Sequence, residues 1–252
     1  MTFYSNLNLL LKLVNLPLME YKLTLLKKEE ICRDTYGLYF DISTSDFTYE
    51  AGQFVSVTIP DLISLDGKDN RRFYSIANAP GDKYIEIIIR RSGSDFSNYL
   101  TNLSVGSQLV FEEARGEIRS SKIQDNTIFI AGGTGITPVR SILKDFDNNS
   151  ISKKLILFYS NRSAEHAAFI DELKELSKKN NSFKLISIVE DISNVSSDSE
   201  KGFFSEEIFR KYVKNPAEHF YYVTGPPMML SESIKVLIRS GVPEDKIFVE
   251  NV

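Results

Sequence analysis

Hydrophobic and polar positions alternate with a period of two along the first half of the chain. From residue 21 to about residue 118, the runs YKLTLL, GLYFDIS, GQFVSVTI, RFYSIAN, YIEIIIR and SQLVFEE follow this pattern, with turn formers such as Ala51-Gly52 and Pro80-Gly81 between them. Many short strands at this spacing predict an antiparallel β-barrel. One helical interruption is expected around residues 97–103, between the last two strands.

The pattern changes after about Ser120. Apolar runs typical of strands (TIFIAG, KLILFYS, FKLISIVE, FYYVTG, KIFVEN) alternate there with segments such as 139–146 and 230–238, whose apolar residues recur every three or four positions. Nearly all-apolar strands alternating with helices predict a parallel sheet covered on both faces. We expect Thr137 to be the N-cap of the first helix, with Pro138 at its first position, and Gly241 to follow the last helix.

The two patterns together predict a two-domain protein, in which an antiparallel β-barrel domain (19–122) precedes an α/β domain with a Rossmann-like parallel sheet (123–252). Residues 1–18 form an N-terminal extension, or reflect a misplaced start, in this interpretation. Their apolar run is interrupted by Lys12 and Asn15, is too short to span a bilayer and ends without a small-residue cleavage site. We therefore expect a cytoplasmic protein without membrane association.

Composition narrows the classes of site and partner. Lys and Arg number 30 against 34 Asp and Glu, and the resulting net charge of −4 does not favour a nucleic-acid partner. Cys32 is the only cysteine, so the chain cannot build a cysteine-ligated zinc site or a Cys₄ iron–sulfur cluster from its own residues. His166 and His219 lie far apart in sequence, and we predict no metal site.

A glycine-rich loop joins the first strand of the second half to its first helix. In FIAGGTGITP (129–138), Gly132, Gly133 and Gly135 allow a ligand to approach the backbone, and the helix that follows directs its N-terminal N–H groups at the same point. Pyrophosphate suits this place. Tight packing alone also explains such a loop, and its spacing departs from G-x-G-x-x-G. No lysine stands at the helix start, which argues against ATP or GTP hydrolysis.

Three further motifs occur around this loop in a fixed order. RFYS (72–75), GSDFSNYL (93–100), GGTGITP and TGPPMM (224–229) together resemble the ferredoxin–NADP⁺ reductase superfamily, and the resemblance covers residues 20–252. It implies an FAD-dependent NAD(P)H oxidoreductase without an iron–sulfur domain, in which the barrel domain binds FAD and the α/β domain binds NAD(P).

The resemblance assigns roles to the residues of the first two motifs. Arg72 is implied at the anionic phosphate of the flavin, Tyr74 against the isoalloxazine ring, and Ser75 near the reactive flavin N5. Ser97 is expected to cap a helix that faces the phosphates. The other positions expected along the flavin are Phe73, Ile89, Arg90, Gly93 and Phe96. Without the other motifs, Arg72 would be read as a solvated residue and Tyr74 as a core residue of an edge strand.

The nicotinamide dinucleotide is implied at the second pair of motifs. The positions expected to hold it are Gly132, Gly133, Thr134, Gly135, Thr137, Arg162, Thr224, Gly225, Pro226 and Met228. Thr224 replaces the cysteine that is usual in the family. The replacement keeps a polar atom at this position but loses a polarizable sulfur. Ser75, Thr224 and Glu250 are the implied catalytic residues. The family often ends with an aromatic residue over the flavin, whereas Glu250 is followed here by Asn251 and Val252. The nicotinamide face is therefore expected to be open or covered by Phe248 or another chain.

The cofactor preferences depend on a few residues. FAD is preferred over FMN because a second phosphate-facing helix is predicted. NADPH is preferred over NADH because Arg162 and Ser160 follow the second parallel strand, where no Asp or Glu stands to bind a free ribose diol. Arg162 as a solvated loop residue is the simpler alternative.

The implied reaction is hydride transfer from NADPH or NADH to bound FAD, followed by electron delivery to a separate acceptor. A ferredoxin-like protein, free flavin and a quinone all fit that acceptor. Two alternatives remain at this point: a regulatory module that binds flavin or nucleotide without turnover, and a reductase that uses flavin as a diffusible substrate.

Overall fold

A computed structural model describes residues 19–60, 62, 70–191 and 198–250 of the protein. The predicted N-terminal extension (1–18) lies outside the described residues. No helix of the described part is long and apolar enough to cross a membrane.

The alternating half of the chain forms an antiparallel barrel, as predicted. Its strands in the described ranges run in the order β4-β3-β6-β1-β2-β5. They are β1 (Glu20–Cys32), β2 (Thr35–Asp41), β3 (Phe54–Thr58), β4 (Arg71–Ser75), β5 (Tyr84–Arg90) and β6 (Gln108–Glu112). A bridge between Ile76 and Ile87 joins the two outer strands, so the sheet closes on itself.

Strand β5 is buried on both faces. Ile85, Ile87 and Ile89 point into the barrel core, as the alternation predicts. Glu86 and Ile88 lie on the opposite face and are also buried, at 1% and 4% exposure. The second domain covers that face, and β5 therefore forms part of the junction between the domains.

Helix α1 (Asp95–Asn102) interrupts the barrel two residues earlier than predicted. Its N-cap is Ser94, whose hydroxyl accepts a hydrogen bond from the Ser97 amide at 3.3 Å. The prediction that Ser97 is the cap is therefore wrong. Gly93, at φ +84°, turns the chain so that Ser94 rather than Ser97 takes the extended cap geometry.

The second half forms a parallel sheet with the order β10-β9-β8-β7-β11-β12 in the described residues. Its strands are β7 (Thr127–Gly132), β8 (Leu155–Asn161), β9 (Phe183–Val189), β10 (Glu200–Lys201), β11 (Phe220–Thr224) and β12 (Ile247–Glu250). The helices are α2 (Ile136–Asn148), α3 (Ile170–Lys179), α4 (Glu206–Tyr212) and α5 (Pro227–Arg239). Gly241 follows the last helix at φ +88°, as predicted.

Apolar packing runs across the predicted domain boundary. Ala51 and Ile118 belong to the same buried cluster as Phe129, Val139 and Ile142 of the sheet domain. A side chain on Gly52 (φ +99°) would collide with the Ile118 carbonyl and the Ile142 side chain. The close packing holds the two halves together, and the boundary at residue 122 stays a prediction.

Candidate functional site

A cavity of about 360 Å³ lies between the two domains. On the barrel side it is formed by β4, the end of β5 and the start of α1. On the sheet side it is formed by the loops after β7 and β11 and by the end of β12. The predicted site residues that line it are Arg72, Phe73, Tyr74, Ser75, Ile89, Arg90, Phe96, Ser97, Thr134, Gly135, Thr137, Thr224, Gly225, Pro226 and Glu250. The structure thus brings the motifs of both halves to one space.

Strand β4 supplies a flat aromatic face and a cation to the barrel wall. The Tyr74 ring lies 6.3 Å from that of Phe96 at an angle of 27°, and the Arg72 guanidinium lies 5.1 Å from the Phe96 ring. Burial raises the pKa of the Tyr74 hydroxyl above its ordinary value, so the phenol stays neutral. An uncharged aromatic face beside a permanent positive charge suits a planar ring that carries an anionic tail.

The other two residues of the motif differ in exposure. Phe73 is 43% exposed and contacts Phe54 edge to face at 5.6 Å. Ser75 is buried at the end of β4, where it pairs with Phe54 of β3. The small hydroxyl of Ser75 therefore lies at a fixed position in the cavity wall, while Phe73 lies at its rim.

Serines and a helix N-terminus form another part of the barrel wall. The Ser92 hydroxyl donates to that of Ser97 at 3.0 Å, and the Ser97 hydroxyl donates to the Ser94 carbonyl at 3.0 Å. Sequence reasoning missed Ser92 and Ser94, which line the cavity, whereas Gly93 between them does not. The serine-rich run RSGSDFS was a signal that could have found them. With Arg72 and Arg90 nearby, this end suits phosphate.

The glycine loop touches the loop after β11. A Cβ on Gly135 would lie 2.6 Å from the Cα and N atoms of Gly225, so only glycine permits this approach. Gly133 has φ +53°, and no atom of the described residues lies within 4 Å of the position of its missing Cβ. The loop is therefore tight against one neighbour and open toward cavity space.

Helix α2 begins at Ile136, and the prediction that Thr137 is its N-cap is wrong. A 3₁₀ turn over Gly133–Gly135 leads directly into the helix, and Gly135 already has helical dihedral angles. The Thr137 hydroxyl instead donates to the Thr134 carbonyl at 2.8 Å. Pro138 also lies inside the first turn and lines the cavity.

Thr224 connects the two loops of the sheet domain. It is 3% exposed, and its hydroxyl donates to the Gly135 carbonyl at 2.7 Å. Because that proton is used within the protein, the Thr224 oxygen can act toward a ligand only as an acceptor. Thr224, which the resemblance predicts in the place of the family's cysteine, thus also holds the glycine loop.

Glu250 pairs with Thr224 on the neighbouring strand. Burial raises the pKa of its carboxyl from 4.5 to about 7, although the backbone amides of Glu117 and Ile118 act in the opposite direction. Its Oε2 atom is buried and has no hydrogen-bond partner among the described residues. The carboxyl can therefore hold or release a proton near neutral pH at the edge of the cavity.

A second cavity of about 720 Å³ lies on the other side of the glycine loop. Gly132, Gly133 and Thr134 line it together with Arg162 and the 82% exposed Met228. Sequence reasoning missed three carboxylates that also line it: Glu190, Glu206 and Glu232. Glu190 follows β9 directly, and its place at the carboxyl end of a parallel strand was a usable signal.

Phe248 does not line either cavity. Its ring stacks on that of Tyr222 at 4.9 Å and 19°. Stacking on Tyr222 therefore holds the Phe248 ring outside both cavity walls, and what covers the nicotinamide face stays a prediction.

Two family sequence models match this chain in tandem. The one described as "Oxidoreductase FAD-binding domain" matches residues 22–119, and the one described as "Oxidoreductase NAD-binding domain" matches residues 129–234. The chain belongs to the ferredoxin–NADP⁺ reductase superfamily. It is an oxidoreductase with an FAD-binding domain and an NAD-binding domain, as the motifs predicted.

Several known proteins are similar to this reductase-family chain. One component of the Na⁺-translocating NADH-quinone reductase of Methylococcus capsulatus is 28% identical over 84% of the chain and 57% of its own length. Phenol hydroxylase P5 protein of Acinetobacter pittii is 26% identical over 92% of the chain and 65% of its own length. The chain thus spans about half to two thirds of the curated relatives it matches.

A solved structure shares the fold over nearly the whole chain. The ferredoxin–NADP⁺ reductase of Neisseria gonorrhoeae, crystallised with bound FAD and NADP, superposes with a TM-score of 0.78 at 18% identity. The match covers 92% of this chain and 98% of the other. It supports the two-domain architecture of barrel and parallel sheet.

Proposed function

We propose that the protein transfers a hydride from NAD(P)H to bound FAD and passes the electrons to an acceptor outside these 252 residues. The observation that carries the proposal is that RFYS of the barrel and the loops at Gly135 and Thr224 of the sheet domain line the same cavity. A flavin and a nicotinamide held on these two walls would meet in that cavity.

The residues of the barrel wall fit the flavin. When bound, FAD accepts two electrons and a proton as a hydride from NAD(P)H, takes up a second proton, and can release the electrons singly or in pairs. Arg72, Arg90 and the amides at the start of α1 would hold its phosphates with charge-assisted hydrogen bonds. Tyr74 would hold the ring with its neutral face and exclude water.

The remaining residues orient the reacting groups. Ser75 would offer a hydroxyl from the barrel wall and Thr224 an acceptor oxygen from the sheet wall, since both residues line the cavity in which the rings would meet. Glu250 can supply or accept the second proton, because burial places the pKa of its carboxyl near 7. Positioning and water exclusion by these groups are what such a reaction needs from a protein.

In this proposal the second cavity holds the rest of the nicotinamide dinucleotide. The glycine loop and the start of α2 would bind its pyrophosphate. Arg162 is exposed at the cavity and is the residue that would contact a 2′-phosphate, so NADPH remains the preferred donor. Glu190 at the end of β9 would repel a 2′-phosphate in this cavity. The preference for NADPH over NADH therefore depends on the positive charge of Arg162.

The acceptor in this proposal is a ferredoxin-like protein, free flavin or a quinone. Relatives named as a part of an NADH-quinone reductase and as a phenol hydroxylase component differ in what their names say they serve. Each of them is similar to most of this chain, which covers only part of the relative's own length.

The test is an anaerobic absorbance measurement on the purified protein. The proposal predicts that the protein retains FAD, is yellow, and bleaches when NADPH or NADH is added. Retained flavin that stays oxidised with both donors would instead identify a binding module without turnover. A colourless protein that reduces added free flavin would identify a reductase with flavin as a diffusible substrate.

A further inference from the structure

A buried arginine joins the two domains behind the cavity. Arg140 of α2 has a side chain that is 7% exposed. Its Nη1 donates to the Glu86 carboxylate of β5 at 2.7 Å and to the Ala77 carbonyl at 2.9 Å, both in the barrel. Its Nε and Nη2 donate to the two oxygens of Glu172 in α3, each at 2.9 Å. One guanidinium therefore binds a carboxylate from each domain.

The surroundings fix this guanidinium in one orientation. It lies 3.8 Å from the centre of the Phe169 ring, and the Tyr39 hydroxyl lies 3.0 Å from the second oxygen of Glu86. Burial opposes the charge of Arg140, but the bonds to Glu172 and Glu86 outweigh it and raise its pKa. Five donors in a rigid plane allow arginine to bind both domains at once, which lysine cannot do.

The arginine lies a few residues from both walls of the cavity. Ala77 comes two residues after Ser75, and Glu86 precedes the wall residues Ile88–Arg90 on the same strand. Arg140 comes two residues after Pro138 in the first turns of α2. Next to it, the Ser141 hydroxyl donates to the Asn78 carbonyl of the barrel at 2.6 Å. A displacement of Arg140 or its partners would therefore move both walls, because only a few residues of regular strand or helix separate them from the walls.

We propose that Arg140 is a positioning residue, which holds α2 against Ala77 and Glu86 and thereby sets the distance between the flavin-binding and nicotinamide-binding walls. The inference rests on the proposed hydride transfer, whose rate depends steeply on that distance. A displacement of 1 Å by a remote substitution can slow such a step by about 100-fold. Packed interfaces change between discrete arrangements, so the loss of a buried bond is not absorbed locally.

The test compares two carboxylates that bind the same arginine. Glu86→Gln weakens the bond across the domains, whereas Glu172→Gln weakens the bond within the sheet domain and is the matched control. Each full-length variant is loaded with FAD and mixed anaerobically with saturating NADPH or NADH, protiated or deuterated at the transferred position. We expect the limiting rate of flavin reduction in Glu86→Gln to fall by about 10-fold or more, with a larger deuterium isotope effect.

The affinities of each variant for FAD and for the dinucleotide show whether a slower rate reflects altered positioning or a general loss of structure. In Glu86→Gln, FAD affinity and the dinucleotide concentration at half saturation should stay near wild type. The Glu86 side chain bonds to Tyr39 and Arg140, neither of which lines the cavity. Glu172→Gln should keep the wild-type limiting rate. Arg140→Lys, which retains the charge but can reach only one carboxylate, should reproduce the slow rate and serves as the second variant if Glu86→Gln does not fold.

The outcomes distinguish this inference from the proposed function. If the wild-type protein is not reduced at all, hydride transfer itself is refuted. If the wild type is reduced and Glu86→Gln and Arg140→Lys both react at the wild-type limiting rate, only the positioning role is refuted. An equal loss of rate in Glu86→Gln and Glu172→Gln would also overturn it, because the effect would then not depend on the bond between the domains.

Discussion

The Glu250 carboxyl provides a pH-dependent test of the cavity. Burial raises the pKa of this group from 4.5 to about 7 in the folded protein. A difference of one between folded and unfolded pKa values corresponds to about 1.4 kcal/mol. Ionising Glu250 therefore costs the folded state about 2 to 3 kcal/mol, allowing for the solvent that reaches this partly exposed side chain. Glu250→Gln removes the ionisation and keeps the shape.

The direction of the effect follows from which state loses the proton first. Below pH 4.5 the carboxyl is protonated in both states and adds no pH dependence. Between pH 4.5 and about pH 7 the unfolded chain releases the proton and the folded protein retains it, so the free energy of unfolding falls. Above about pH 7 both states are ionised, and the loss is complete.

The assay is denaturant unfolding of the FAD-free wild type and of Glu250→Gln at several values of pH. The difference between the two free energies of unfolding should change by about 2 to 3 kcal/mol in favour of the variant as the pH rises from 4.5 to above 7. In the FAD-loaded protein, an inflection near pH 7 in the rate of flavin reduction should be lost in the variant. If the free energies of unfolding of the wild type and of Glu250→Gln change with pH by the same amount over this range, Glu250 does not have a raised pKa in the folded protein.

Three further substitutions test the assigned roles. Arg72→Ala should weaken FAD binding by about 10- to 100-fold, since a hydrogen bond to a charged group is worth about 1.5 to 3 kcal/mol; fluorescence titration with FAD measures this. Arg91→Ala, whose guanidinium lies over Tyr36, is the control, and equal losses in both variants would count against the assignment. Thr224→Cys should speed anaerobic bleaching, and an unchanged rate would place the residue off the hydride path. Arg162→Ala should raise the apparent KM for NADPH without changing that for NADH, and a variant in which both stay the same would remove the basis for the NADPH preference.

The overall architecture could be predicted because its signals are local. Alternation with a period of two in runs such as YIEIIIR reports one face of a strand whatever it later packs against. The glycines of GGTGITP report a close approach of backbone, and the approach of Gly135 to Gly225 requires glycine. Fold class, cofactor class and family are accordingly confirmed, whereas the roles of the individual site residues stay predictions.

The two wrong predictions of helix N-caps concern positions at which the three-dimensional context decides which residue takes the cap. Ser92, Ser94 and Ser97 are all plausible cap residues by type, and only the turn at Gly93 decides that Ser94 takes the cap. Thr137 before a proline satisfied the local rule for a helix start, but the 3₁₀ turn that precedes it makes a side-chain cap unnecessary.

No local pattern in the sequence predicts the contact between Arg140 and Glu86 of the two domains. Arg140 and Glu86 lie 54 positions apart, and a glutamate in an otherwise apolar strand is usually assigned to the solvent face. Only the arrangement of α2 over β5 makes it a buried partner. Pairings of this kind depend on how two domains pack, which no local pattern records.

A crystal structure of the protein with FAD and an oxidised nicotinamide dinucleotide bound tests most directly whether the two rings meet between barrel and sheet. We expect the isoalloxazine against Tyr74, phosphate at Arg72 and at the start of α1, and the nicotinamide ring in the same cavity beside Thr224. An isoalloxazine bound elsewhere, or a cavity between barrel and sheet filled by the protein's own side chains, would contradict it.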